Sequence, residues 1–483
     1  MNKRFYPYIV TGLVSLLLSF KYFSSFDLFF DDKEIFKYTG FLVNKGLVPY
    51  KDFFDHKPPL IFFLNYAARC FGSNGLWLLD TCLVLFASII FLKVNLRHKV
   101  YLPSALPILF NLMLRNSHIS FGYGMTREYT TICLLLIFCV VIMNYRYKYI
   151  LVGLLCALIF FMQQDQLILA LPFFLYAIVV DKKSILLRNL LHLFAGGMIV
   201  TAPIVLYFFF NNALNSFWQD AFLFNFNWYA SPEQKPSLMQ ELILLKNKLH
   251  EFNLGMPFLI TCVLALASFF AGSKTKWLLI AAVSCIPLSF ISEFLSGKMA
   301  SNEALVNYYL LPLAATLPMA LFVMFAFTKK NFFKHKLQQW VYACLILFGP
   351  LLAIAEQTAN FHRYPQDYIN SSPEIKYLDK APPADYQLYV FNNSNYIFAY
   401  NKYKIIAPSR WLYHYFWTWY PQWDADHSIT NSIIDGLRKH GTKYIIIDYK
   451  ETDVAGNINL QIWKAFIDSN YQQVYPLKLW QRK

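Results

Sequence analysis

Apolar runs about the length of a lipid bilayer recur through this chain, and short basic stretches separate them. A helix needs about twenty consecutive, mostly apolar residues to cross the hydrocarbon core. The runs fall near residues 7–24, 74–92, 101–115, 127–143, 150–163, 166–180, 190–210, 254–271, 277–295, 305–327 and 339–356, so eleven spans are expected. Charge is sparse enough to allow this: 15% of the chain is charged and 57% is hydrophobic, against about 25% charged in an average soluble domain. So apolar a chain must bury surface or aggregate, which excludes disorder. Eight cysteines in 483 residues are too few for a secreted disulfide scaffold. All eight lie in or beside apolar runs without a CxxC pair, and read as small hydrophobes.

The net charge of +15 resembles a nucleic-acid signal until its distribution is examined. The stretches 1–6, 93–100, 144–149, 181–189, 272–277 and 328–338 hold 16 Lys and Arg and one acid, Asp181. Their excess equals the whole net charge, and the rest of the chain balances. Lys and Arg in short loops mark the cytoplasmic side of a membrane. The amino terminus is therefore expected in the cytoplasm and, after eleven spans, the carboxy-terminal tail outside. A nucleic-acid partner would need one basic face on a folded domain, and none is expected. Lys3 and Arg4 before the first run resemble a signal peptide. Lys21, Tyr22, Phe23 and Ser24 supply no small-residue cleavage site, so the run reads as a retained helix.

Three segments lie outside the expected spans: 25–73, 211–253 and the tail 357–483. The chain thus divides into a membrane domain over 1–356, with 25–73 as its first outer loop, and a small exported α/β domain over 357–483. The tail has turn formers at Pro382, Pro383, Asn392 and Asn393, apolar strands at Tyr386–Phe391 and Tyr444–Asp448, and helical stretches near 429–440 and 459–469. The run from Lys443 to Asp448 reads as a strand covered on both faces. Trp411, Tyr413, Tyr415, Phe416, Trp417, Trp419, Tyr420 and Trp423 make the tail aromatic enough to lie against a membrane interface, or to stack on sugar rings.

The first outer loop carries most of the chemistry. Asp31, Asp32 and Glu34 crowd three carboxylates into four residues. Crowded carboxylates repel, which suits one of them to be a general base. Asp31 and Glu34 have the three-residue spacing of a capping box at the start of a helical pattern, Ile35, Tyr38, Phe41 and Leu42. The box does not use Asp32. Lys57-Pro58-Pro59 opens a short apolar stretch, 59–71, which Gly72 ends; its length suits an interfacial helix. The preceding turn is expected to hold Asp55, His56 and Lys57 at headgroup level. A lone cation there serves either as an interfacial anchor or as a partner for a phosphate.

Taken in order, Asp32-x-x-x-Phe36-x-Tyr38-x-Gly40, Gly46-x-x-Pro49-Tyr50-x-Asp52 and Asp55-His56-Lys57-Pro58-Pro59-Leu60 resemble the GT-C membrane glycosyltransferases. The closest branch is the group of dolichyl-phosphate-mannose protein mannosyltransferases and lipid A aminoarabinose transferases. Thr126-x-Glu128-Tyr129 and Asn307-Tyr308-Tyr309-Leu310 follow in the same order. The resemblance implies a GT-C-like fold and transfer of a sugar from a polyprenyl-phosphate carrier to an envelope glycan, lipid or protein on the outer face of the cytoplasmic membrane. It implies inversion at the anomeric carbon, with Asp32 as base. Lys57, Asp55, His56, Arg127, Glu128, Tyr308 and Tyr309 become the expected substrate contacts.

Two departures from the group stand out. Residues 163–166 read Gln-Gln-Asp-Gln where relatives often carry a basic residue, which leaves Lys57, Arg127 and Lys298 to meet the phosphate. Arg127 also precedes Glu128 where relatives often have an acid. Asp80, Glu128, Asp165 and Glu293 fall within or at the outer ends of spans, where ionisable residues mark either function or a paired structural charge. Tyr308 and Tyr309 suit an aromatic belt as well as a substrate contact. No metal-ligand cage is visible and no cofactor is implied, although divalent-metal dependence stays open. A polytopic transporter or lipid-linked sugar flippase is the alternative; it calls for half-to-half repeats and midplane polar groups, and neither is visible.

Topology is directly testable. Reporter fusions after residues 98, 147, 275 and 335 should report cytoplasm, and fusions after 50, 230 and 400 the outside. A cytoplasmic signal at 400 breaks the eleven-span scheme.

Overall fold

A computed structural model describes residues 5–20, 31–100, 102–115, 124–143, 145–180, 186–229, 277–285, 311–327, 372–391, 394–412, 421–447 and 456–483, with isolated positions 239, 243 and 288. The described chain is mostly helical with one small sheet. In chain order the first ten helices are α1 (Tyr6–Phe20), α2 (Asp31–Asn44), α3 (Leu60–Arg69), α4 (Gly75–Arg97), α5 (Ala105–Leu114), α6 (Thr126–Met143), α7 (Lys148–Met162), α8 (Leu171–Val180), α9 (Leu186–Phe210) and α10 (Leu214–Trp218). The chain forms two compact units.

The first unit comprises residues 1–26, 74–206 and 229–363. Among the described residues three helices are long and apolar enough to cross a membrane: α4, α6 and α9. The expected runs at 7–24, 101–115 and 150–163 form the shorter helices α1, α5 and α7. The run 166–180 breaks into a 3₁₀ turn over Gln164–Ala170 followed by α8. At about 1.5 Å per residue, the ten residues of α5 reach about half the hydrocarbon thickness. The runs 254–271 and 339–356 lie outside the described residues.

Burial on α1 and α9 is inside out relative to a soluble protein. Thr11, Ser15 and Ser19 of α1 face inward, while Leu17 is 69% and Phe20 62% exposed. On α9, Leu187 is 72% and Phe194 67% exposed. Small hydroxyl residues at a spacing of four let backbones approach closely, and large apolar side chains on the outside call for a hydrocarbon surrounding. Polar side chains join neighbouring helices: Asn111 Nδ2 of α5 donates to Ser88 Oγ of α4 at 2.8 Å. Trp77 Nε1 donates to the Ser19 carbonyl at 2.7 Å, and Ser104 Oγ to the Pro7 carbonyl at 3.1 Å.

Successive helices alternate in direction. Arg97 Nη1, at the end of α4, donates to the Met143 carbonyl at the end of α6 (3.1 Å). The stretch after α4, with Arg97 and Lys99, and the stretch between α6 and α7, with Arg146, therefore share one end of the unit. This is the grouping of basic loops that the charge distribution anticipates.

The second unit comprises residues 27–73, 207–228 and 364–483. Its sheet has the order β1-β2-β4-β3, with β1 (Leu388–Phe391) parallel to β2 (Tyr444–Ile447). The expected strands and helices of the tail are present, the helices as Ser428–His440 and Ile458–Asn470. β2 is wholly buried, as an unbroken apolar strand requires. Sequence reading missed β3 (Tyr471–Gln473) and β4 (Leu479–Arg482), whose residues, among them Gln472, Gln473, Gln481 and Arg482, lack an apolar signature. Asp424 starts the Ser428–His440 helix by accepting from the Ile429 and Thr430 N–H groups at 2.8 and 3.0 Å, and Gly441 at φ +60° ends it. Trp463 stacks on Phe391 at 4.1 Å over the sheet.

The contact between α7 and α9 generates a sharp prediction. A Cβ on Gly153 would meet the Leu193 carbonyl oxygen at 2.0 Å, and one on Gly196 the Ile150 carbonyl oxygen at 2.0 Å. The adjacent Gly197 would place its Cβ 3.8 Å from the Gly153 carbonyl oxygen, an ordinary contact. Gly196→Ala should therefore cost about 1–3 kcal/mol through overpacking, while Gly197→Ala should be neutral or stabilising because alanine favours helix. Thermal unfolding in detergent checks this; equal midpoints for the two variants contradict the helix contact.

Candidate active site

Residues 31–73 belong to the second unit, and several of their motif residues have a structural task. Helix α2 buries Ile35, Phe36, Tyr38, Phe41 and Leu42. Gly40 lets α2 touch α3: a Cβ there would lie 2.7 Å from the Asn65 Cβ. Gly46, at φ +84°, turns the chain out of α2. The Asp52 carboxylate then accepts from the Val48 N–H at 2.7 Å and closes a tight loop. Tyr50 takes a positive φ of 65°. Its ring packs against Phe62, Phe208 and Phe217, and its hydroxyl donates to the Lys57 carbonyl at 2.6 Å. Burial holds the Tyr50 hydroxyl well above its usual pKa, so it stays a donor.

This scaffold places Asp55, His56 and Lys57 in the interior. All three are buried, Asp55 being 1% exposed. The Asp55 Oδ1 accepts from the Lys57 N–H at 2.9 Å and lies 3.6 Å from His56 Nδ1. Its Oδ2 has no hydrogen-bond partner among the described residues. Burial pushes the Asp55 carboxyl up to about 7; the Lys57 N–H and cation oppose the rise, and the charge of Asp32 adds to it. Asp32 is half-buried in the first turn of α2. The expected capping box involves the Asp31 side chain, which lies outside the described residues. Glu34 Oε1 accepts from Lys37 Nζ at 3.0 Å and Oε2 from Asn401 Nδ2 at 2.8 Å.

Two groups that sequence reading passed over complete the surroundings. Asp220, just beyond α10 in a π-helical turn, pairs with Arg410. Burial pushes its carboxyl up to about 7 against the pull of Arg410, and the charge of Asp55 adds to the rise. The Arg410 guanidinium lies 4.6 Å over the Trp411 ring, and its carbonyl accepts from the Phe54 N–H at 2.7 Å. Phe54, Phe224, Trp411 and Trp423 form one aromatic cluster beside the Asp55 turn, with Asn225 Nδ2 donating to the His56 carbonyl at 2.7 Å. Trp411 is buried and Trp423 half-buried in this cluster; the tail aromatics from 413 to 420 lie outside the described residues. Asp220 was unreadable as a partner because 190 residues separate it from Arg410.

Arg127 and Glu128 belong to the first unit, where helix ends gather a second polar cluster. Arg115, at the end of α5, pairs with both Asp80 of α4 and Glu128 of α6. The second Glu128 oxygen accepts from the Gly124 N–H at 3.0 Å. Arg127 Nη2 pairs with Asp165 at 3.1 Å, which also accepts from Gln166 Nε2 at 3.1 Å. The sequence 163–166 that lacks the expected cation thus supplies the acid for Arg127. Arg115 was the missed residue: a single cation at the end of an apolar run has no periodic signature. This cluster stands at the opposite end from Arg97 and Lys99, about 27 Å away along the 18-residue α6. Tyr308, Tyr309, Glu293 and Lys298 lie outside the described residues. No group of three or more His, Cys, Asp or Glu suited to a metal ion occurs among the described residues.

Asp55 gives a pH-dependent prediction. Its carboxyl titrates near 3.8 when unfolded and near 7 when folded. The folded state therefore holds an extra proton between those values, and stability falls as pH rises through that window. Asp55→Asn keeps an acceptor for the Lys57 N–H and removes the ionisation. The variant should gain thermal stability over the parent, with a larger gain at about pH 8 than at about pH 5. A gain independent of pH refutes the buried-carboxyl reading. No protein-family model matches the chain, and no curated protein matches it.

Proposed function

We propose that the protein is an inverting membrane glycosyltransferase that moves a sugar from a polyprenyl-phosphate carrier to an envelope glycan, lipid or protein acceptor. In this reading the chain crosses the cytoplasmic membrane eleven times, with its amino terminus inside and its tail on the outer face. The observation that carries the reading is the half-buried Asp32 beside the Asp55-His56-Lys57 turn, on the residues that resemble the GT-C group. The acceptor oxygen attacks the anomeric carbon from the face opposite the phosphate. Asp32 takes the acceptor proton as that bond forms. The bond to the phosphate breaks, its electron pair leaves on the lipid phosphate, and Lys57 and His56 offset the developing charge. Asp55 belongs to the same turn and sets its polarity. The inside-out burial of α1 and α9 supports a lipid setting.

Asp32→Asn keeps the side-chain shape and removes the basicity. Transfer should fall by about 100- to 10,000-fold, with expression and thermal stability near those of the parent. The assay is release of free polyprenyl phosphate from a panel of polyprenyl-phosphate sugars, alongside mass spectrometry of envelope glycolipids and glycoproteins with and without the gene. Parental activity in the purified variant removes Asp32 as the base.

A further inference from the structure

Helix α2 is held by the carboxy-terminal tail through a set of contacts on one side of the helix. Asn401, in the short helix Phe398–Tyr403, donates its Nδ2 hydrogens to both the carbonyl and the side chain of Glu34, at 2.9 and 2.8 Å. One turn further along α2, the Tyr38 hydroxyl accepts from the Ala407 N–H at 2.8 Å, and its ring stacks on Tyr400 at 4.8 Å. Tyr38 and Tyr400 are both fully buried. Glu34 and Tyr38 are four residues apart and share a helix face. Asp32 precedes Glu34 by two residues, or about 200° around the axis, and so projects from the other side.

We propose that Asn401 is a positioning residue for Asp32, acting through Glu34. The inference rests on the glycosyltransferase reading of Asp32. A single amide that grips the backbone and the side chain of one residue stops α2 from rotating about its own axis. That rotation is the motion that displaces Asp32: a turn of about 10° moves a carboxylate at the helix surface by about 1 Å. A misplacement of that size costs about 100-fold in a reaction that depends on orientation. Tyr38 and Tyr400 hold the second turn of the helix, and Asn401 holds the first turn, which carries Asp32. The tail accordingly contributes to catalysis by orienting the outer loop.

The test uses the full-length protein in detergent or nanodiscs. Asn401→Ala should lower turnover about 10- to 100-fold, leave KM for the lipid donor near the parental value, and raise hydrogen–deuterium exchange in residues 32–36. Asn401→Asp should be worse, because its carboxylate faces that of Glu34. Adding Glu34→Gln to Asn401→Asp restores a donor–acceptor pair of reversed polarity and should recover part of the lost turnover. Unchanged exchange in Asn401→Ala overturns the proposal whatever the activity. Raised exchange with parental turnover, where Asp32→Asn is inactive, overturns the positioning role. A fully active Asp32→Asn overturns the base and Asn401's role together, and that failure is recognised by exchange that still rises in Asn401→Ala.

Discussion

A helix with Thr11, Ser15 and Ser19 inside and Leu17 and Phe20 outside is stable only where its surroundings are not water. Outward-facing leucine and phenylalanine then cost nothing, and packing has to come from close backbone approach and from polar contacts that lipid cannot supply. Several contacts among the described residues of the first unit follow that logic. Gly153 and Gly196 bring α7 and α9 into backbone contact. Asn111 and Ser88 join α5 to α4. Overlapping polar contacts at the helix ends fix which ends lie together, and the alternating directions of α4 to α7 follow from them.

Among the described residues of that unit, two charged groups stand at opposite ends. Arg97, Lys99 and Arg146 occupy one end, while Arg115, Arg127, Asp80, Glu128 and Asp165 occupy the other as ion pairs. A buried charge without a partner is severely destabilising, so Arg115 and its two carboxylates stand or fall together. The pairing also explains two oddities of the sequence. Arg127 sits beside Glu128 because each answers a different partner, and Asp165 stands among glutamines because Arg127 needs an anion there.

The second unit treats its motif residues in two ways. Gly40, Gly46, Asp52 and Tyr50 build the loop by close approach, positive φ, a closed turn and a buried hydroxyl. Asp55, His56 and Lys57 are carried by that loop into a poorly solvated interior, where a carboxyl keeps its proton to unusually high pH. Asp32 remains at the edge of this interior. The tail encloses the arrangement through Asn401, Ala407 and Arg410.

Much of this was legible before any coordinates. Period and composition are local properties, so the apolar runs that form α4, α6 and α9, the strands β1 and β2 of the tail and its two main helices could be read directly. The turn at Gly72 and the burial of β2 follow equally from local chemistry. Span lengths were less legible, because an apolar run does not reveal that α5 has ten residues or that residues 164–170 form a 3₁₀ turn. Pairings were not legible at all. Glu34 had the spacing of a cap but bonds to an asparagine 367 residues away. Arg115 chose two carboxylates from different helices, and Asp220 found Arg410 across 190 residues. Chain sequence determines which side chains can ionise, donate or pack. Only the tertiary fold decides which of them meet, because a hydrogen bond or ion pair depends on distance in space and carries no trace in periodicity.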